Sequence, residues 1–305
     1  MQEPNTATPA FDLTPGSPDQ LARHGNSGRR ERAVRRAKDK VLRLLAAGEP
    51  APQVDSPYLV VPILGQSNAV GDNEVQPDDM SPGTLPVHQW PGCGRRKGQI
   101  LLATDPLLHE IPAGGVGFGR SFGERLAADT GRPVLLFPCG RGDTSFYPKN
   151  GYSWDPADTS ARVNLFTFAV TQIEGALAAA GPSARVAAFL WHQGESDVPL
   201  LAPDAYRARL ESVVTGLRSR FGDAPFVLGQ MVPEEIESRR AEYAGIDDVH
   251  RTLPRTVDSC AFVPGPTGMA KLPTEIIHYS RAGQRELGDR MYAAYAELSS
   301  MGESR

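Results

Sequence analysis

Tyr58-Leu-Val-Val-Pro-Ile-Leu-Gly65-Gln66-Ser67-Asn68-Ala-Val-Gly71 changes character at its midpoint. Its first half is an apolar run of strand length, rich in β-branched residues. It shows no polar alternation, so it predicts a strand buried on both faces, as in a parallel sheet covered by helices. The second half turns polar at Gly65-Gln66-Ser67-Asn68. A hydroxyl at the carboxyl end of such a strand stands where open α/β sheets bind ligands. Gly65, Ala69 and Gly71 leave room for a tight turn and a close approach. A Ser or Asn here also serves as an ordinary helix cap, so this stretch by itself leaves both roles open.

Outward from this stretch the chain alternates between strand-like and helix-like segments. Apolar strand runs are predicted near 133–137, 185–191, 226–231 and 257–263, and amphipathic helices over 117–130, 163–180, 206–221, 235–253 and 281–299. Phe118, Phe122 and Leu126 share one helix face, and Gly131 stands where a helix C-cap glycine would. Strands separated by helices predict a three-layer αβα sandwich around a parallel, flavodoxin-like sheet of about five strands. Residues 72–115, crowded with Pro and Gly, read as one long loop. The segment before residue 50 reads as a polar leader followed by a basic amphipathic helix over 29–47. Residues 51–305 read as the folded domain. The charges on that helix read as a solvated face rather than a nucleic-acid or lipid site.

The bulk composition removes several classes. Hydrophobic residues at 40%, charged residues at 22% and a net charge of −4 describe an ordinary globular protein without a push toward nucleic acid or membrane. The three cysteines, Cys93, Cys139 and Cys260, are too scattered for a disulfide framework or a zinc site. No stretch reads as a secretory signal or a bilayer span, which predicts a cytoplasmic protein.

Reading each strand exit for chemistry gives a set. The first supplies Ser67. The second supplies Pro138-Cys-Gly-Arg-Gly142-Asp143-Thr144-Ser145, the third Trp191-His-Gln193-Gly-Glu195-Ser-Asp197. Past the last strand comes Glu275-Ile-Ile-His278, on a loop before the final helix. Acyl transfer needs these types of residue. A Ser hydroxyl attacks once a base takes its proton, and His titrates in the range to do so. A carboxylate fixes the His tautomer, and Glu275 lies three residues from His278. The Ser67 and Gly142 amides and the Gln193 carboxamide are candidate oxyanion donors. Asn68, Gln66 and Glu195 complete the candidate oxyanion and substrate-binding set. Glu195 and Asp197 also stand in reserve as the acid beside His278. His24, His88, His109, His192 and His250 read as surface or structural residues. Trp90, Tyr152 and Trp154 are candidate sugar-stacking rings at the cleft.

At these blocks the chain resembles the SGNH-type esterases, and among them the carbohydrate esterases that include acetylxylan esterases and sialate O-acetylesterase-like proteins. Gly65-Gln66-Ser67-Asn68 resembles the nucleophile block, Gly142-Asp143-Thr144 the oxyanion-glycine block, and Trp191 to Asp197 the group's third block, in which a Gln, here Gln193, stands in for the Asn of other branches. Gly115-Val-Gly-Phe-Gly-Arg-Ser-Phe122 is similar to a further segment of the group. The pattern usually places Asp three residues before the His, where this chain has Glu275. The α/β-hydrolase elbow Gly-x-Ser-x-Gly does not fit, since Ala69 holds its second Gly position. The resemblance implies a serine esterase that removes small acyl groups, chiefly acetyl, from a carbohydrate or polyol, with no metal or organic cofactor. The alternative is a non-catalytic carbohydrate- or acyl-binding protein that keeps the fold.

Overall fold

The computed structural model describes residues 48–92, 94–110, 114–198 and 200–303. The leader and the basic helix expected over 29–47 lie outside them. In chain order the first elements are β1 (Leu59–Gly65), α1 (Ser67–Val70), β2 (Val87–Gln89), β3 (Leu101–Leu102), α2 (Phe118–Thr130) and β4 (Val134–Pro138). Next come β5 (Tyr152–Ser153), β6 (Val163–Asn164), α3 (Leu165–Ala180), β7 (Arg185–Val186), β8 (Phe189–His192) and α4 (Pro203–Phe221). The chain closes with β9 (Phe226–Gly229), α5 (Pro233–Ser238), α6 (Arg240–Thr252), β10 (Cys260–Val263), β11 (Ala270–Leu272), β12 (Glu275–Tyr279) and α7 (Arg281–Glu303).

The main sheet runs β10-β9-β8-β1-β4-β2-β3, with β7 also beside β1. All its pairings are parallel except β2 with β3. Among the described residues the sheet thus holds eight strands rather than about five. β2 and β3 arise inside the stretch expected to be a loop. At three and two residues they are too short to carry a periodic signal. The strand expected over 185–191 is interrupted at Ala187-Ala188, which separates β7 from β8.

Every residue of β1 is buried, and its side chains alternate between two cores. Val60 and Leu64 pack with α3, α4 and α6 through Ile173, Leu210 and Ile246. Leu59, Val61 and Ile63 pack with α2 and α7 through Phe118, Phe122, Leu287 and Met291. A strand with a core on each face is apolar throughout, which is why it read without alternation. Each such aliphatic side chain contributes roughly 1.5–3 kcal/mol by burial. The face predicted for α2, Phe118, Phe122 and Leu126, is the buried one, and Gly131 caps it at φ 63°. Among the described residues no helix is long and apolar enough to cross a membrane.

From β1 the chain crosses one way to β4, then back over to β8 on the other side. The carboxyl end of β1 is therefore the point where the winding reverses, and Ser67 follows it directly. β11 and β12 form a separate antiparallel ribbon. It turns at Pro273-Thr274 and carries Glu275 and His278 on a strand, not on the irregular loop expected.

Candidate active site

The exit of β1 is shaped by close backbone contacts. Gly65 has φ 125°, and a Cβ there would lie 2.0 Å from the His192 carbonyl oxygen. The next residue, Gln66, donates its N–H to that same carbonyl at 2.9 Å. β1 and β8 thus leave the sheet bound together, and the turn between them accepts no side chain. Beyond α1, Gly71 packs against Gly115 and Val116, where a Cβ would approach the Val116 oxygen to 2.5 Å. Asn73 clamps Val116 through both its N–H and its carbonyl. A Cβ on Gly115 would lie 2.5 Å from the Gly71 backbone and one on Gly119 2.1 Å from Ile63 Cδ1 of β1, so neither position accepts a side chain, and the chain is fixed on both sides of Ser67.

His278 reaches Ser67 from the other end of the sequence. Its Nε2 lies 2.9 Å from Ser67 Oγ, and its Nδ1 lies 2.8 Å from Glu275 Oε1. A carboxylate on Nδ1 makes that nitrogen the N–H donor and leaves Nε2 as acceptor for the Ser hydroxyl. The extra methylene of Glu275 is thus accommodated by the ribbon. Partial burial pushes the Glu275 carboxyl up. Hydrogen bonds from His278 and Lys271, with the Lys271 charge, more than offset this and hold it below the usual range. Among the described histidines only His278 is not buried. Burial keeps His109 and His250 neutral, each pushed down to about 3, and lowers His192 as well. Their roles are structural: His109 Nδ1 accepts the Gly140 N–H, His192 Nε2 meets the Gln230 carbonyl, and His250 meets the Tyr206 hydroxyl.

Asn68 joins the blocks. Its Nδ2 donates to Glu195 Oε1 at 2.9 Å and to the Ile277 carbonyl at 3.0 Å, and its Oδ1 accepts the Tyr279 N–H at 3.1 Å. One fully buried carboxamide therefore grips the backbone on both sides of His278 and ties it to the third block. The Gly142 loop lies against Ser67: a Cβ at Gly142 would sit 3.7 Å from the Ser67 Cβ. Arg141 N–H donates to the Gly65 carbonyl at 2.9 Å. The Thr144 hydroxyl, donating to the Arg141 carbonyl and accepting the Trp154 indole N–H, holds the loop from the other side. Neither the Ser67 nor the Gly142 N–H has an acceptor among the described residues.

Three residues expected to face substrate lie beneath the site instead. Gln193 is fully buried, and its amide donates to Asp197 Oδ2 at 2.7 Å and toward Gln66 Oε1 at 3.3 Å. Gln66 and Glu195 are 3% and 5% exposed. Asp197, pushed up to about 6 by burial, accepts the Phe146 and Tyr147 N–H groups besides Gln193. It is an anchor between the second and third blocks, not an acid beside His278. Trp90, Tyr152 and Trp154 are likewise buried, not cleft walls. Tyr152 lies under the Arg141 guanidinium, 3.5 Å from its ring centre. The sequence reading missed Lys271, which bonds Glu275 Oε1 at 3.0 Å and Asp72 Oδ1 at 3.3 Å. Asp72, Glu275 and His278 converge closely enough to suit a metal ion. The Lys271 ammonium, bonded to both carboxylates, already supplies positive charge there.

None of the curated proteins compared with the chain matches it. Solved structures do. NanS superposes with a TM-score of 0.64 at 19% identity, over 83% of this chain and 100% of that one. A protein from Arabidopsis thaliana gives 0.63 at 19%, over 79% and 98% of the two chains. A carbohydrate acetylesterase from Xanthomonas citri gives 0.55 at 15%, over 80% of this chain and 56% of its own. At such identities the likeness is one of fold. The sequence profile described as carbohydrate esterase, sialic acid-specific acetylesterase matches residues 58–297. That span runs from the start of β1 through His278 into α7, so the chain belongs to this family of carbohydrate esterases and is a carboxylic ester hydrolase.

Proposed function

We propose that the protein hydrolyses O-acetyl esters of a carbohydrate through a Ser67–His278–Glu275 triad. The observation that carries this reading is the unbroken contact from Ser67 Oγ through the imidazole to Glu275 Oε1. Ser67 Oγ attacks the ester carbonyl carbon while His278 Nε2 takes its proton. Glu275 keeps the proton on Nδ1 and stabilises the imidazolium. The oxyanion of the tetrahedral intermediate is received by the Ser67 and Gly142 N–H groups. Collapse breaks the bond to the sugar oxygen, which takes the proton from Nε2, leaving acetyl on Ser67. Water then attacks with His278 again as base, and acetic acid and free Ser67 result. Gln193 serves this site from below by holding Gln66, Asp197 and the Gly142 loop in place.

The test is acetate release from O-acetylated sialic acids, xylo-oligosaccharides and simple sugar acetates, with 4-nitrophenyl acetate as a general probe. Ser67→Ala is expected to lower kcat by at least ~10³-fold, since binding and oxyanion stabilisation alone remain. Equal, background-level release from both proteins would instead fit a binding protein that has kept the fold.

A further inference from the structure

His278 Nδ1 faces two carboxylates, not one. Glu275 Oε1 is bonded to it at 2.8 Å, and Asp72 Oδ2 stands 3.8 Å away. The two acids are bridged by Lys271 Nζ, at 3.0 Å from Glu275 and 3.3 Å from Asp72. They come from distant parts of the chain. Asp72 directly follows the Gly71 turn, between that turn and the clamped Asn73. Lys271 and Glu275 come from the two strands of the ribbon. All four side chains are partly buried, between 14% and 35% exposed.

We propose that Asp72 is a second positioning carboxylate for His278, set in place by Lys271 and able to accept the Nδ1–H hydrogen bond when Glu275 is absent. Two carboxylates this close would repel each other without a cation between them. Lys271, bonded to both, offsets that repulsion and holds the Glu275 carboxyl below its usual range. The set of Asp72, Glu275 and Lys271 then carries one net negative charge, which the imidazolium formed during acyl transfer neutralises. Glu275 Oε1 divides its acceptor capacity between His278 and Lys271, so a second anion at the same nitrogen has work to do. Of the remaining charged groups nearby, Glu195 is engaged by Asn68, and burial lowers the pKa of the His192 ring, which keeps it neutral. The inference rests on the triad reading above, but the carboxylate arrangement is measurable without it.

The experiment compares wild type with Asp72→Ala, Glu275→Ala, the double variant and Asp72→Asn, the last being isosteric and uncharged. Two readouts are taken: the downfield Nδ1–H proton resonance of His278 by NMR, and kcat on 4-nitrophenyl acetate. Glu275→Ala is expected to keep the resonance, now bonded to Asp72, and to lose ~10- to 10²-fold in kcat. The double variant is expected to lose the resonance and ~10⁴-fold, the scale of removing a triad acid. Asp72→Asn by itself is expected to cost less than ~10-fold. Lys271→Met is expected to move the acid limb of kcat to higher pH, because Glu275 loses the cation that keeps it ionised. A double variant matching Glu275→Ala in both readouts would overturn the inference, as would a resonance already lost in Glu275→Ala. Should wild type hydrolyse nothing, the triad reading fails, and the resonance still decides the role of Asp72.

Discussion

Replacing Asn68 separates the chemistry of Ser67 from the machinery that delivers its base. Asn68→Ala leaves three groups without their bond, Glu195 and the Ile277 carbonyl, to which Asn68 donates, and the Tyr279 N–H, which it accepts, while Gln284 Nε2 loses Asn68 Oδ1 but keeps the Asn68 backbone carbonyl. All three partners sit in or beside buried structure, and a buried polar group deprived of its partner costs about 1–3 kcal/mol. The summed loss is about 3–9 kcal/mol, a fall in Tm of at least ~6 °C at ~2–4 °C per kcal/mol. The effect on rate comes from geometry. His278 lies between the two backbone groups that Asn68 holds, and a shift of about 1 Å at a reacting group costs ~10²-fold. We therefore expect kcat on 4-nitrophenyl acetate to fall ~10²-fold, with KM changed far less. Asn68→Asp is a sharper version. It keeps the acceptor for Tyr279 but sets a carboxylate against the Glu195 carboxylate and the Ile277 carbonyl, so it should be at least as damaging as Ala near neutral pH. Rates are to be expressed per active site, counted by titration with an organophosphonate, so that unfolded protein does not contribute. An Asn68→Ala enzyme within about threefold of wild type in kcat would refute the argument that this side chain places His278.

Two further substitutions probe the frame around the site. Gly65→Ala would drive a Cβ into the His192 carbonyl oxygen at 2.0 Å and force a positive φ on a residue that resists it. Loss of cooperative folding, or destabilisation above ~3 kcal/mol seen by urea unfolding, is expected, and a stable Ala variant would contradict the packing of β1 on β8. Asp105 is buried beneath α2. Burial pushes its carboxyl up to about 7, against the pull of Arg120 at 3.9 Å. The folded state therefore binds its proton more tightly than the unfolded state, so stability falls as pH rises from about 4 to 7, by at most about 4 kcal/mol. Asp105→Asn should remove that decline: its Tm advantage over wild type is expected to grow between pH 5 and pH 8, and an advantage independent of pH would rule out the titration.

The parts legible in the sequence were those whose signal is local. β1 announced itself because a strand covered on both faces is apolar at every position. α2 showed its face and its cap. Ser67 drew notice because it follows the carboxyl end of β1, and His278 because Glu275 stands three residues before it, and the structure sets His278 Nε2 2.9 Å from Ser67 Oγ. What stayed hidden depends on long-range contact. Asn68 and Ile277 meet across a separation of 209 residues, and Lys271 and Asp72 across 199. No spacing within one segment encodes either meeting. Gln193 illustrates the reverse error. Its position in the third block suggested a donor facing substrate, but a carboxamide binds an inward carboxylate as readily as an outward oxyanion, and Asp197 four residues on holds it inward. The aromatic residues misled for a similar reason: in a long irregular segment, sequence does not distinguish a ring that walls a cleft from one that fills a core.

The claim on which the rest depends is that the His278 contact makes Ser67 a nucleophile. The most direct measurement is reaction of the intact protein with a fluorophosphonate, followed by peptide mass mapping of the adduct. The account predicts a single adduct on Ser67, formed rapidly by wild type and slowed at least ~10³-fold in His278→Ala. Labelling at another residue, or equal labelling of Ser67 with and without His278, would contradict it.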